Sequence, residues 1–272
     1  KRAFSRYVSP NLVQYLVAHP KALELGGRRQ DCSFVFTDLA GFTSLMERMD
    51  AGEAVALLND YLDGMIAIAF EHQGTLDRIV GDAVAIMFSA PVPQADHQRR
   101  ALACGLAMQR FASRYLLDVQ ARGGLFCATR IGIHSGEVIV GNFGGSHMFD
   151  YRALGDAVNT ASRLEGANKH LGTLVCVSQD TLQGCADAPA RPIGRLLLKG
   201  KSVPLMVFEP LETPATNDGY VRAYELMREQ HPEALAAFEA LAAEGCVDPL
   251  VSLHLARLRA GQTGDLVVLE EK

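Results

Sequence analysis

The sequence has little excess charge, few cysteines and no long apolar run. Its 272 residues carry a formal net charge of −5, which argues against a nucleic-acid-binding surface, although a local basic patch is compatible with that total. No apolar run reaches the length that a membrane span requires, and no signal peptide is recognisable. The sequence therefore favours a protein of the cytosol.

The six cysteines form no CxxC pair, and several lie inside apolar runs; they are Cys32, Cys104, Cys127, Cys176, Cys185 and Cys246. Buried, reduced thiols are therefore predicted. Hydrophobic residues make up 49% of the chain, enough for a substantial core, and the length suits one large domain with an appendage. Because the first residue is Lys and not Met, we expect the chain to be a piece of a longer protein.

The most informative stretch is SFVFTDLAGFTSLM, at residues 33–46. An apolar run ends in Thr37-Asp38, a turn of small residues follows, and an amphipathic segment then begins. This pattern predicts a buried strand that carries Asp38 at its end, next to the first N–H groups of a helix. An Asp in that place can equally be a helix N-cap, and this stretch alone does not decide between the two interpretations.

A second carboxylate lies about forty residues later, in LDRIVGDAVAIMF at 76–88. Two β-type runs meet there at Gly81-Asp82, which predicts a tight hairpin with Asp82 at its tip. Asp82 can be a simple turn residue. Alternatively, Asp38 and Asp82 converge at the ends of adjacent strands, where their oxygens suit Mg²⁺ and phosphates complete its shell.

With these motifs in place, the sequence resembles the class III nucleotidyl cyclases. Five motifs carry the resemblance over about residues 30 to 210, and they are strong evidence because their order and spacing match the family. They are FTDLAGFT (36–43), RIVGDAVAIMF (78–88), RIGIHSGEVIVGN (130–142), LGDAVNTASRLEGANK (154–169) and LKGK (198–201). The resemblance implies an adenylate cyclase that converts ATP into 3′,5′-cyclic AMP and pyrophosphate. A guanylate or other cyclase, or a degenerate cyclase fold that binds nucleotide or dimerises, stays open.

The predicted fold class is α+β: a ferredoxin-like βαββαβ cyclase core with an antiparallel sheet and helices on one face, plus a small C-terminal helical extension. Apolar spacing predicts a helix from Gly52 to Gly74 with Val55 on its buried face. Residues 126–134 and 137–140 are predicted as two strands separated by Ser135-Gly136.

Three regions are predicted along the chain: a helical leader at 1–29, the catalytic domain at 30–211, and a linker with tetratricopeptide-like helices at 212–272. The leader is expected to form a helix over residues 2–18, interrupted near Ser9-Pro10 with Ser9 as N-cap, followed by a flexible join at Gly26-Gly27. In the resemblance, such a leader links the core to an upstream regulatory or membrane-anchored sensor. We therefore expect a cytoplasmic domain of a longer protein, held at the inner membrane where that sensor is anchored there.

The resemblance also assigns the site. It implies two Mg²⁺ or Mn²⁺ ions held by Asp38 and Asp82 with Leu39 beside them, a ribose-binding Asn159, and Arg163 on the α-phosphate. The implied phosphate-binding residues are Ala40, Gly41, Phe42 and Thr43 through their backbone, Arg130, and Lys199 or Lys201, with Lys199 slightly favoured. In the family the site lies between two cyclase domains. This chain carries both halves, so we expect a head-to-tail homodimer with two equivalent sites.

The sequence departs from the family at the residues that bind the base. Related adenylyl cyclases carry Lys four residues before the second metal-binding Asp, and Asp or Thr seven residues before the Asn. Here those positions are Arg78 and Arg152, named below the base-binding pair. Guanylyl cyclases typically have Glu at the first position, so recognition of guanine by a carboxylate is not supported. Arg can donate to adenine and also suits the O6/N7 edge of guanine; ATP is the predicted substrate.

Overall fold

A computed structural model describes residues 9–23, 25–214, 217–245 and 247–269. The strands are β1 (Gly26–Leu39), β2 (Thr75–Val80), β3 (Ala83–Phe88), β4 (Thr129–Gly144), β5 (Phe149–Leu154), β6 (Val175–Ser178), β7 (Ala190–Leu197), β8 (Leu205–Pro210) and β9 (Leu266–Val268). The helices are α1 (Pro10–Ala18), α2 (Phe42–Met46), α3 (Ala51–Glu71), α4 (His97–Ala121), α5 (Asp156–Leu171), α6 (Gln179–Leu182), α7 (Asp218–Arg228), α8 (Ala234–Ala243) and α9 (Pro249–Arg259), with a 3₁₀ turn at Pro20–Leu23. Within the described part of the chain, no helix is both long and apolar enough to span a bilayer.

The strands form one sheet in the order β2-β3-β1-β4-β6-β8-β7-β9, with β5 paired to β4. The pairing is antiparallel except between β4 and β6 and between β7 and β9. Strands β1 and β4 form its centre, paired from Gly26 opposite Asn142 to Leu39 opposite Thr129. The α+β class with a mostly antiparallel sheet is confirmed.

Helices cover both faces of the sheet, so the expectation of helices on one face is wrong. Side chains alternate along a strand, and successive residues of β1 therefore enter different cores. Val35 packs with α3 and α4, whereas Phe34 packs with α5 on the opposite face. Helix α5 lies close to β4 because Gly132 has no side chain: a Cβ there would lie 2.2 Å from the backbone nitrogen of Glu165.

Three local predictions are wrong. Strand β4 continues through Ser135-Gly136, because β1 pairs with it there, at Ser33 and Cys32. Gly26-Gly27 is the start of β1 and not a flexible join, since both residues pair with β4. Val55 is 55% exposed. The buried face of α3 instead carries Ala54, Tyr61, Met65 and Ala69.

The leader forms a helix from Pro10, as predicted. Ser9 occupies the N-cap position, but its side chain makes no hydrogen bond with any described residue. Residues 2–8 of the predicted leader helix lie outside the described residues. The cysteine prediction holds for Cys32, Cys104, Cys176 and Cys185, which are buried free thiols, whereas Cys127 is half-buried and Cys246 is not among the described residues.

The C-terminal helices pack on the catalytic core. Helices α7, α8 and α9 share an apolar cluster with α5, β7 and β8. Polar contacts fix this arrangement: Arg191 of β7 donates to Asp248 at the start of α9 at 2.9 Å and to Glu209 of β8 at 2.8 Å. Strand β9, which the sequence did not predict, adds to the edge of the sheet beside β7.

Candidate functional site

Asp38 and Asp82 lie together at one end of the sheet. Strand β1 carries Asp38 next to its last residue, and the β2–β3 hairpin turns at Gly81, whose φ of 62° suits glycine, to place Asp82 beside it. The backbone N–H of Leu39 donates to both carboxylates, at 3.0 Å to Asp38 Oδ1 and 3.1 Å to Asp82 Oδ2. The predicted convergence of the two side chains, the carboxylate pair, is therefore present in the fold.

The carboxylate pair places two acidic side chains next to each other in a half-buried position. Burial raises the pKa of Asp38 to about 6, with a further increase from its hydrogen bond to Asp82 and from the charge of Asp82. The Leu39 N–H and the cation of Arg130 act in the opposite direction. Arg130 is the residue of β4 directly opposite Asp38. A bound cation would remove the repulsion that favours a proton on Asp38.

The carboxylate pair fits a divalent cation of the Mg²⁺ type in its chemistry. Its donors are carboxylate oxygens, which Mg²⁺ prefers, and such sites use one or two carboxylates with substrate phosphates and waters for the remaining positions. Residues 9–23, 25–214, 217–245 and 247–269 hold no cluster of three or more His, Cys, Asp or Glu side chains suited to a metal. A cation here therefore depends on the carboxylate pair and on a phosphate ligand.

The turn after Leu39 leads from the carboxylate pair into α2. Phe42 is 1% exposed and packs edge-on against Phe126, so it can approach a phosphate only through its backbone. Gly41 and Thr43 are exposed. Helix α2 has only five residues, so the expected help from its dipole is small. The phosphate role of Ala40 to Thr43 stays a prediction.

Asn159 and Arg163 are exposed and lie one turn apart on α5, and the guanidinium of Arg163 lies beside the β7–β8 turn that contains Lys199 and Lys201. A Cβ built on Gly200 would lie 3.5 Å from Nη2 of Arg163, which places the guanidinium over this turn. Lys201 forms an ion pair with Asp156 at the start of α5. The β7–β8 turn therefore packs against α5 at Asp156 and Arg163, and the ribose and α-phosphate roles of Asn159 and Arg163 stay predictions.

Glu165 is a residue of the site that the sequence analysis missed. Burial raises its pKa from an ordinary 4.5 to about 7; the charges of Asp38 and Asp82 add to the increase, and Arg130 opposes it. Residues two apart do not share a helix face. The backbone of Glu165 lies against Gly132 of β4, two residues from Arg130, which is opposite Asp38, so Glu165 is on the face of α5 near the carboxylate pair and Arg163 is on another face. A charged residue on a helix ordinarily indicates a solvated face, so no sequence signal distinguished it.

We expect Glu165→Gln to flatten the pH dependence of stability. The folded state binds the Glu165 proton more tightly than the unfolded chain, so the free energy of unfolding falls as pH rises from 4.5 to about 7. In metal-free buffer at pH 8 the variant should be more stable than the parent by about 1–2 kcal/mol, after allowance for partial solvent contact, and at pH 5 by much less. Urea unfolding at the two pH values measures this, with the exposed Glu47→Gln as control. Equal pH slopes in parent and Glu165→Gln would contradict the assignment.

The fold also brings the base-binding pair together. The register pairs Leu76 with Ile86 and Arg78 with Ala85, so Asp77 is an extra residue in a β-bulge. The bulge turns Arg78 to the face opposite Leu76. Strand β5 packs on that face through Ala153, and Arg152 lies beside Ala153 in the chain. The backbone N–H of Ala153 donates to the carboxylate of Asp77, and the charges of Arg78 and Arg152 both lower the pKa of that carboxylate, so both residues belong to its surroundings.

Comparisons with known proteins agree with this geometry. Residues 26–208 match the family model of the adenylate and guanylate cyclase catalytic domain. Adenylate cyclase 1 of Rhizobium meliloti (strain 1021) is 37% identical over 213 residues, which cover 76% of this chain and 31% of that protein. This chain spans about a third of the length of the first curated relatives that it matches.

Two solved structures have the same fold at similar identity. The adenylyl cyclase CyaB from P. aeruginosa superposes with a TM-score of 0.65 at 32% identity, covering 70% of this chain and 97% of that one. The guanylyl cyclase Cya2 superposes with a TM-score of 0.62 at 30% identity, covering 71% and 98%. The similarity thus extends to cyclases named for either purine.

Proposed function

This chain belongs to the adenylate and guanylate cyclase catalytic-domain family, and we propose that it converts ATP into 3′,5′-cyclic AMP and pyrophosphate in sites shared across a homodimer. The observation that carries the proposal is the convergence of Asp38 and Asp82 on one backbone N–H, with Arg130 directly opposite Asp38. Two opposed carboxylates beside a cation suit a site that binds metal and triphosphate together.

The chain's own residues account for each requirement of the reaction. Two Mg²⁺ or Mn²⁺ ions on the carboxylate pair would supply Lewis-acid activation of the 3′-hydroxyl and neutralisation of phosphate charge. Arg130 and the backbone after Leu39 hold the β- and γ-phosphates. Asn159 orients the ribose, and Arg163 stabilises the charge that develops on the α-phosphate. Lys199 or Lys201 adds positive charge at the triphosphate.

Opposite orientations on α5 support a shared site. Glu165 faces the carboxylate pair of its own subunit, whereas Arg163 lies over Gly200. We infer that the carboxylate pair and the Asn159–Arg163 set are two half-sites, and that a two-fold dimer joins each half-site of one protomer to the complementary half-site of the other, which gives two equivalent sites.

The direct test is to incubate the purified chain with each of the four NTPs, with Mg²⁺ and with Mn²⁺, and to measure cyclic nucleotide by mass spectrometry. Cyclic AMP from ATP is the expected product. Folded, dimeric protein that forms no cyclic nucleotide from any NTP would instead favour a degenerate cyclase fold that serves as a regulatory module.

GTP is the second candidate substrate, because the base-binding pair offers only donors and Arg suits the O6/N7 edge of guanine. If Arg78 and Arg152 contact the base, the double change Arg78→Lys with Arg152→Thr should raise the ATP-to-GTP ratio of kcat/KM by about tenfold. Activity should persist, since the phosphate groups are untouched. Initial rates with both nucleotides measure the ratio. An unchanged ratio would mean that neither Arg contacts the base.

The catalytic domain is further proposed to act within a longer cytoplasmic or membrane-anchored protein under an upstream sensor. The FSRYVSPNLV leader followed by LGG, typical of bacterial cyclases built that way, supports this.

A further inference from the structure

A buried carboxylate, that of Asp77, lies against Arg78 of the base-binding pair. Neighbours on a regular strand point to opposite faces, so Asp77 and Arg78 would ordinarily not meet. The bulge at Asp77 changes this, and Arg78 Nε lies 3.3 Å from Asp77 Oδ2. β-Bulges often redirect side chains beside active sites. The one-residue insertion thus creates a contact that the sequence pattern does not predict.

The burial of the Asp77 carboxylate is unfavourable for folding, and the side chain adds no apolar contact to the core. Its side chain is only 4% exposed, and Oδ1 has no hydrogen-bond partner among the described residues. Burial raises the pKa of Asp77, while Arg78, the backbone N–H of Ala153 and Arg152 lower it. A buried acceptor without a donor is destabilising and calls for an explanation.

We propose that Asp77 is the positioning residue of base recognition: it fixes the guanidinium groups of Arg78 and Arg152 as one donor set and thereby sets the preference between purines. This inference rests on the proposed function, because it assigns a base to the same site. The contact with Asp77 uses Nε of Arg78 and leaves both terminal nitrogens to face a base. Oδ1 accepts no hydrogen bond from any described residue, and Arg152 directly precedes Ala153, whose backbone N–H donates to Asp77.

The physical reason is orientation. The Arg78 side chain is 42% exposed on a strand at the end of the sheet, and without an anchor it would sample many rotamers. A planar guanidinium group distinguishes between bases only when it is held in the plane of the base, where two of its N–H donors meet two acceptors on the base edge. An unanchored Arg would still attract a triphosphate, but it would bind adenine and guanine with similar affinity.

The test compares Asp77→Asn with Asp150→Asn. Asp150 is an exposed neighbour whose charge also acts on Asp77, so its replacement makes the same charge change nearby without touching the anchor. In Asp77→Asn the ratio of kcat/KM between the preferred and the other purine nucleotide should fall by about tenfold, mainly through KM, whereas Asp150→Asn should change it by less than about twofold. Thermal shifts with ATP and with GTP give the same preference without catalysis.

A double variant separates positioning from a general structural effect. If Asp77 acts through Arg78, then Asp77→Asn in an Arg78→Ala background should change the purine ratio by less than about twofold. An unchanged ratio in the single variant, or the same further loss in the Arg78→Ala background, would overturn the proposal. Loss of folded protein in Asp77→Asn alone, with Arg78→Ala folded, would also overturn it in favour of a structural role.

Failure of the proposed function gives a different result. A parent chain that makes no cyclic nucleotide but shows unequal thermal shifts with ATP and GTP leaves Asp77 testable by those shifts. A parent chain stabilised by neither nucleotide would remove both proposals.

Discussion

Replacing Asp38 by Asn is expected to lower turnover by about 100-fold or more, and replacing Asp82 by Asn should do the same. A neutral amide holds Mg²⁺ weakly, and the described residues contain no group of three or more His, Cys, Asp or Glu side chains placed to hold a metal. Cyclic nucleotide formed per dimer at saturating Mg²⁺ measures the loss.

The Asp38→Asn substitution should not destabilise the folded protein. Burial and the charge of Asp82 raise the pKa of Asp38 to about 6, so at neutral pH without metal its ionised form opposes folding. An Asn in its place removes that repulsion, and the melting temperature in EDTA should therefore equal or exceed that of the parent. A simple loss of folded protein would produce the opposite change.

Asp31→Asn is the matched control. Asp31 lies on the same strand as Asp38, its replacement changes the charge by the same amount, and its side chain is 65% exposed and away from the carboxylate pair. It should retain activity. Near-normal turnover of either Asp38→Asn or Asp82→Asn with Mg²⁺ would show that the carboxylate pair does not hold the catalytic metal.

The parts of the site that the sequence predicted are those set by local patterns. Asp38 follows an apolar run and Asp82 lies in a Gly-Asp turn between two β-type runs, so strand, hairpin and convergence follow from short-range signals. Asn159 and Arg163 share a helix face by spacing alone. Each element follows from residues close to it in the sequence, and the pairing of β1 with β3 then brings Asp38 and Asp82 to the same end of the sheet.

The parts that the sequence did not predict depend on contacts between distant segments. Asp77 meets Arg78 because of a one-residue insertion in the β2–β3 register, which leaves no mark in the alternation of so short a strand. Glu165 approaches the carboxylate pair because Gly132 lets α5 lie close to β4. The polarity of both carboxylates suggests exposure, and only the packing of the whole sheet shows the Asp77 side chain buried and Glu165 half-buried.

If the sites are shared across a dimer, as proposed, the orientation of α5 determines which site Arg163 serves. Within one protomer, Arg163 lies over the β7–β8 turn at Gly200, and the face of α5 toward the carboxylate pair carries Glu165 instead. If each site takes its metal-binding residues from one protomer and Arg163 from the other, a lesion in either half disables both sites of a homodimer of that variant. A dimer of two different variants has one site with both lesions and one site with none.

Asp38→Ala and Arg163→Ala, each nearly inactive alone, are therefore expected to restore activity when they are co-expressed. With equal expression and random pairing, about half of the dimers are mixed, and each mixed dimer has one intact site of two, so roughly a quarter of parental activity should return. Tandem purification through two different affinity tags isolates the mixed dimer, which should then show about half of the parental activity per dimer. Asp38→Ala co-expressed with Asp82→Ala is the matched control: both lesions lie in the same half-site, so each site of the mixed dimer keeps one lesion and no recovery is expected. Recovery in that control would mean that the carboxylate pair is itself divided between protomers. Mixed dimers of Asp38→Ala and Arg163→Ala that are purified through both tags and remain inactive would rule out the shared site, because every residue that the reaction needs would be present in them.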